Sequence, residues 1–171
     1  CAKLLETSGK KVYLGGNIGE NLFVKLSDIK ESDFAVIEIS SFQLMKMSQK
    51  PDISIITNIS PNHLDWHTDM NEYINAKKRI ISDFQKRTIL NGDDKTTSSF
   101  EAKNKILFGQ NQKYDFYFDS EGIKNKDGLI LKNEDILLPG IHNKANYTAA
   151  ISAVFPYISR EAIIKVAKNF G

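Results

Sequence analysis

Phe34-Ala35-Val36-Ile37-Glu38-Ile39 decides how this chain is read. All but one of its side chains are apolar. A run with no polar alternate is the pattern of a parallel strand covered on both faces. Further on, Ile53-Ser54-Ile55-Ile56-Thr57-Asn58-Ile59 repeats the texture and stops at Ser60-Pro61. Residues 42–47 between the two runs suit a short helix. Upstream, Lys11-Val12-Tyr13-Leu14 is a short strand entering Gly15-Gly16-Asn17-Ile18-Gly19. Tyr73, Ile74, Ala76, Lys77, Ile80, Ile81 and Phe84 recur at helical spacing, which predicts an amphipathic helix over residues 70–85. Residues 88–91 then form a strand closed by Gly92-Asp93-Asp94. Strand and helix alternating at this cadence predict an α/β fold, a mostly parallel sheet with crossover helices.

The texture changes after Asp94. Residues 95–139 are rich in Lys, Asn and Asp, with short strands at 106–108, 114–118 and 129–131 and a hairpin turn at Asp127-Gly128. This stretch reads as a small, largely antiparallel addition to the parallel sheet. Helices over 142–157 and 160–170 close the chain. The opening Cys1-Ala2-Lys3-Leu4-Leu5-Glu6-Thr7 reads as the middle of a helix, with neither a capping residue nor an initiator Met before it. A fragment of a longer protein is therefore expected.

Composition sets outer limits. The 171 residues are 41% hydrophobic and 26% charged, which excludes disordered, collagenous and coiled-coil classes. A net charge of +2 advertises no nucleic-acid surface, although a local pocket could still hold an anion. No apolar run approaches the roughly 18 residues of a membrane span, and nothing resembles a signal peptide. One cysteine excludes an internal disulfide and a cysteine metal cluster. A cytoplasmic protein with no membrane and no nucleic-acid partner is expected.

Several residues stand where chemistry is usually placed. Glu38 and His63 lie at or just beyond the carboxyl ends of strands, where open α/β sheets hold ligands. A carboxylate at such a place either takes a partner, for which Mg²⁺ is suited, or points into solvent. His67 and His142, the other histidines, sit in equally unusual contexts, although a lone His is more often structural. The Gly15–Gly19 loop leaves backbone N–H groups free to approach an anion, but matches no standard phosphate loop. Asn143 and Asn146, three apart at a helix start, can face a base edge together or serve as ordinary caps.

These signals occur in an order that resembles the Mur ligases, ATP-dependent enzymes that add amino acids to the muramyl peptide of the cell wall. The resemblance is carried by Gly15-Gly16-Asn17-Ile18-Gly19, Glu38-Ile39-Ser40-Ser41-Phe42-Gln43-Leu44, Asn58-Ile59-Ser60-Pro61-Asn62-His63-Leu64-Asp65, Tyr73-Ile74-Asn75-Ala76-Lys77 and Gly140-Ile141-His142-Asn143-Lys144-Ala145-Asn146. It runs from about Lys11 to the end of the chain. Ser40-Ser41-Phe42-Gln43-Leu44 is similar to the branch that adds D-glutamate to UDP-N-acetylmuramoyl-L-alanine through an acyl phosphate. The competing readings are another amino-acid-adding Mur ligase, a folylpolyglutamate synthase-like enzyme, and a non-catalytic nucleotide-binding module.

The resemblance implies site roles residue by residue. It makes Glu38 and His63 ligands of a Mg²⁺ ion that accompanies ATP, His63 and Lys77 catalytic, and Lys77 a site of N-carbamylation. It makes Asn17, Ser40 and Ser41 contacts to the muramyl substrate, and His142, Asn143 and Asn146 contacts to ATP. Asn62 departs from the pattern, since many members have Asp before the His. The resemblance further implies that residues 1–171 are part of a central ATP-binding domain. The phosphate-cradling loop and the flanking N-terminal UDP-binding and C-terminal domains are not among them. The fragment is then expected to be inactive and prone to self-association through unpaired strand edges, and the full enzyme monomeric.

Overall fold

The computed structural model describes residues 1–19, 22–60 and 67–170. Helix α1 (Ala2–Thr7) leads to strand β1 (Val12–Gly16), and a 3-10 segment (Leu22–Asp28) leads to β2 (Phe34–Glu38). Helix α2 (Ser41–Lys46), β3 (Ile53–Ile56), α3 (Met70–Lys78), β4 (Arg87–Asn91), α4 (Lys95–Ser98) and β5 (Lys105–Gly109) continue the alternation. Strands β6 (Phe116–Phe118), β7 (Gly122–Asn125) and β8 (Gly128–Lys132) follow, then helices α5 (Ile141–Val154) and α6 (Arg160–Asn169).

The strands form two sheets. In the first, β1 runs parallel to β2, with Val12 opposite Phe34 and Gly16 opposite Glu38. In the second the order is β3-β4-β5-β6-β7-β8, parallel as far as β6 and antiparallel beyond it. The α/β architecture is the one the sequence predicts, but the boundary of its antiparallel part moves. Strands β5 and β6 extend the parallel sheet, and only the β7–β8 hairpin, closed where Asn125 pairs with Gly128, is antiparallel to its neighbours. Strand β7 carries a single large apolar residue, Ile123, and so gave no alternating signal.

Helices cover both faces of the larger sheet. On one side α5 buries Ile151 and Ala153 against Ile89 and Phe108, in a core shared with Leu4 and Leu5 of α1 and Ile163 and Val166 of α6. Val12, Phe34 and Val36 of the small sheet pack against the same core. On the other side Tyr73 of α3 joins Ile56, Ile59, Leu90 and Phe100. Ile151 has no exposed surface. Its replacement by alanine is expected to cost about 2–5 kcal/mol, read as a lower urea midpoint with an unchanged slope.

Two local expectations need correction. The apolar run of β2 is not covered on both faces: Ala35 and Ile37 are exposed, Ile37 by 50%. Its outer side borders a cavity of about 690 Å³ that separates it from β3. Helix α3 ends at Lys78, short of residue 85. The Gln85 side chain ends it, donating to the Ile80 carbonyl at 2.9 Å and accepting from the Ser82 N–H at 3.2 Å. The same carboxamide oxygen accepts from the Ser54 and Thr88 hydroxyls, so it ties this turn to β3 and β4.

Candidate active site at the strand ends

Glu38 is the last residue of β2, and its backbone is built into the glycine-rich loop. Its carbonyl accepts from the Asn17 N–H at 3.0 Å. Gly16, paired opposite it, has φ +101°, and a Cβ there would stand 2.0 Å from the Glu38 carbonyl oxygen. Only glycine fits at this crossing of loop and strand. Gly16→Ala is expected to destabilise the fold by about 1–3 kcal/mol and to displace Asn17 and Glu38 together. Thermal unfolding and the amide shifts of Asn17 and Glu38 would read the two effects.

The chain leaves β2 into α2 through a capping box. The Ser40 hydroxyl accepts from the Gln43 N–H at 3.3 Å, and the Gln43 side chain accepts from the Ser40 N–H at 2.8 Å. The S-x-x-Q spacing of Ser40 and Gln43 carries that signal in the sequence. Ser41, the next residue, is only 2% exposed, and its hydroxyl lies 2.8 Å from His67 Nε2. Ser40 therefore stands at the surface of the site and Ser41 behind it.

Lys77 comes to the same place from α3. Together with Glu38 it lines the cavity between β2 and β3. Burial lowers its pKa from the ordinary lysine value, and the Glu38 carboxylate opposes that shift in part. Its neighbour Lys78 is exposed, so the two lysines differ in kind. Lys77 is not a surface lysine reaching for water. Its amine lies 5.8 Å from the centre of the Tyr73 ring one turn earlier.

Asp94, which the sequence reading passed over, fixes the loop after β3. One carboxylate oxygen accepts from the N–H groups of Thr96 and Thr97, capping α4, and the other from the Ile59 N–H at 3.0 Å. It thereby holds the segment that runs on toward His63. Asn91 adds a bond to the Thr57 carbonyl at 2.8 Å. Asp94→Ala removes a cap and leaves buried donors unpaired. A loss of about 1–3 kcal/mol is expected, measured by denaturant unfolding.

Residues 1–154 match the Mur ligase middle domain family. The chain belongs to the Mur ligases. It is 40% identical over 178 residues to the UDP-N-acetylmuramoylalanine–D-glutamate ligase of Clostridium perfringens, and 39% identical over 177 residues to that of Clostridium acetobutylicum. Those alignments take in 99% and 98% of this chain but 39% and 38% of the relatives, so the chain spans about two-fifths of their length. Solved Mur ligase structures share the fold at low identity. The UDP-N-acetylmuramoyl-L-alanyl-D-glutamate–2,6-diaminopimelate ligase has a TM-score of 0.72 at 17% identity, covering 99% of this chain and 42% of that one. The UDP-N-acetylmuramate:L-alanyl-γ-D-glutamyl-meso-diaminopimelate ligase of Neisseria meningitides has a TM-score of 0.73 at 14% identity, covering 99% and 60%.

The structure brings together only some of the residues singled out in this Mur ligase chain. Glu38, Asn17 and Lys77 gather at the carboxyl end of β2. His142, Asn143 and Asn146 stand on the first turns of α5 and do not line the cavity. Asn143 donates to the Pro139 carbonyl at 2.8 Å, which uses one of its amide donors to hold the entry to the helix. His63 and Asn62 lie outside the described residues. Among the described residues no three His, Cys, Asp or Glu side chains converge on one point. Glu38, exposed at the strand end and lining the cavity, offers a hard oxygen donor of the kind that Mg²⁺ takes.

Proposed function

We propose that this chain is the central ATP-binding part of a cytoplasmic ligase that joins D-glutamate to UDP-N-acetylmuramoyl-L-alanine, with ATP consumed and an acyl phosphate as intermediate. The observation that carries the reading is the meeting of Glu38 with a desolvated Lys77 in one cavity at the strand ends. Identity near 40% to D-glutamate-adding relatives along nearly the whole chain supports the choice of amino acid. The Ser40-Ser41-Phe42-Gln43-Leu44 segment does so too.

In the proposed reaction the alanyl carboxylate attacks the γ-phosphorus of ATP, and ADP leaves. The D-glutamate amine then attacks the acyl carbon. Phosphate leaves, the amine loses a proton and the amide remains. Phosphoryl transfer of this kind needs positioning and charge neutralisation more than covalent help. Asn17 and Ser40 would orient the muramyl substrate beside Glu38; Ser41, expected with them as a substrate contact, is 2% exposed and is assigned to their support. His142, Asn143 and Asn146 are assigned to ATP. Glu38, His63 and carbamylated Lys77 would hold Mg²⁺, whose charge offsets that of the phosphates.

Lys77 can accept CO₂ only as the neutral amine, which an ordinary lysine presents in about one molecule in 10³ at pH 7. The lowered pKa raises that fraction. Addition forms an N–C bond and releases a proton from nitrogen, and the product is an anion.

Among the described residues β2 and β3 each pair with a single parallel strand, and both line the cavity between them. A strand in that place, leading into a phosphate-binding loop at the same end as Glu38, would complete the central domain. The test of the function is phosphate release by the full-length protein with ATP, Mg²⁺ and UDP-N-acetylmuramoyl-L-alanine. Release that depends on D-glutamate and not on L-alanine or a diamino acid is expected. Equal release with another amino acid would assign a different branch.

A further inference from the structure

His67 has no part in the chemistry proposed above, yet side chains of two elements, α2 and α3, meet on its ring. The imidazole is 4% exposed. Its Nε2 lies 2.8 Å from the hydroxyl of Ser41, the first residue of α2. Its Nδ1 is buried without a hydrogen-bond partner, and Glu72 Oε2 on α3 is 3.7 Å away. The ring stacks near Phe42 of α2, at 6.2 Å and 16°, and leans on Tyr73 of α3, at 5.3 Å and 51°. Glu72 is held in turn by the backbone N–H and hydroxyl of Thr68, bonds that keep its carboxyl below the usual carboxylate range and hence charged.

Serine, histidine and glutamate in this order suggest an activated nucleophile. Burial rules that out: at 2% exposure no substrate reaches the Ser41 hydroxyl. The connections along the chain point elsewhere. Ser41 follows Glu38 by three residues. Tyr73 precedes Lys77 by one helical turn, and the Lys77 amine lies over its ring. The imidazole is therefore a brace between the element that carries the carboxylate and the element that carries the lysine.

We propose that His67 is the positioning residue of the Glu38–Lys77 site. As the Nδ1–H tautomer it accepts the Ser41 O–H at Nε2 and points its own N–H at Glu72. This fixes α2 against α3 and so sets the distance between carboxylate and amine. The proposal rests on the reading of Glu38 and Lys77 given above.

The test uses the full-length protein and its His67→Phe, His67→Gln, Ser41→Ala and Ser41→Ala/His67→Phe variants. Three measurements are made: carbamate on Lys77, by ¹³C NMR with ¹³C-bicarbonate; ligation kinetics against Mg²⁺; and thermal unfolding. His67→Phe is expected to lower carbamate occupancy and to cut kcat by at least about tenfold. A group misplaced by about 1 Å can cost about 10²-fold. KM for ATP should stay within about twofold. The double variant should be no worse than His67→Phe, because both changes break one bond. His67→Gln, whose carboxamide reaches the Ser41 hydroxyl, should recover most of the loss.

A fall in melting temperature with carbamate, kcat and Mg²⁺ response unchanged would overturn the proposal. A Ser41→Ala effect confined to KM for the muramyl substrate would also overturn it, since Ser41 would then touch substrate. If His67→Phe does not fold, Ser41→Ala, which loses only the hydroxyl, decides the matter. If the unaltered protein neither ligates nor takes up CO₂, the ligase reading fails by itself. Histidine ¹⁵N shifts still settle the brace in that case: the Nδ1–H tautomer supports it, and an Nε2–H tautomer contradicts it.

Discussion

Replacing Lys77 with alanine is expected to lower D-glutamate ligation by the full-length enzyme by about 10² to 10³, the usual cost of deleting one preorganised group from a site of developing charge. Lys77→Arg is expected to lose as much, since a guanidinium keeps the positive charge and cannot carry CO₂. The role of the carbamate separates from that of the amine by rescue. A small carboxylate such as acetate fits the space left by alanine and supplies oxygen donors, whereas ethylamine supplies a cation. Recovery with acetate and none with ethylamine is the expected pattern, and the reverse would make Lys77 a simple ammonium. The pH dependence has a definite sign. Because burial lowers the Lys77 pKa, CO₂ uptake should begin at a lower pH than for an ordinary exposed lysine. Between the lowered and the ordinary pKa the folded chain binds fewer protons than the unfolded one, so Lys77 makes stability rise with pH across that window.

Glu38→Gln carries the second large effect. The substitution keeps the shape, removes the charge and turns one acceptor oxygen into an N–H donor. Turnover is expected to fall by about 10² to 10³, and the Mg²⁺ needed for half-maximal rate to rise by at least about tenfold, equivalent to about 1.4 kcal/mol of binding. It should also lower the Lys77 pKa further, because the Glu38 charge now raises it. More free amine would then form while less carbamate is retained, which the ¹³C signal reads directly. Unchanged Mg²⁺ response in Glu38→Gln would return Glu38 to an ordinary solvent-facing strand end.

Periodicity made most of the parallel frame legible. The runs at 34–39 and 53–59, the glycine loop and the closing helices all lie within a few residues of where the spacing puts them. What failed depended on distant neighbours. The apolar run of β2 looks the same whether its edge meets a strand or a cavity. Helix α3 ends early because Gln85 folds back onto Ile80 and Ser82, a contact that helical spacing does not encode. At the site, the position of Glu38 could be read from its place at a strand end. The distinction between Lys77 and Lys78 follows from helical phase: Tyr73 and Ala76 share the buried face from which Lys77 emerges. His67 was invisible as a brace because Ser41, its partner, is 26 residues away and the bond exists only once α2 packs on α3.

Glu38 and a carbamylated Lys77 are proposed to share one cation. Anomalous diffraction from crystals of the full-length enzyme, grown with Mn²⁺ in place of Mg²⁺, an ATP analogue and bicarbonate, tests it most directly. One metal peak is expected at the carboxyl end of β2, within about 2–2.6 Å of an oxygen of Glu38, with added density on the Lys77 amine turned toward it. A peak bound only by phosphates, with Glu38 in solvent and a bare Lys77 amine pointing away, would contradict it.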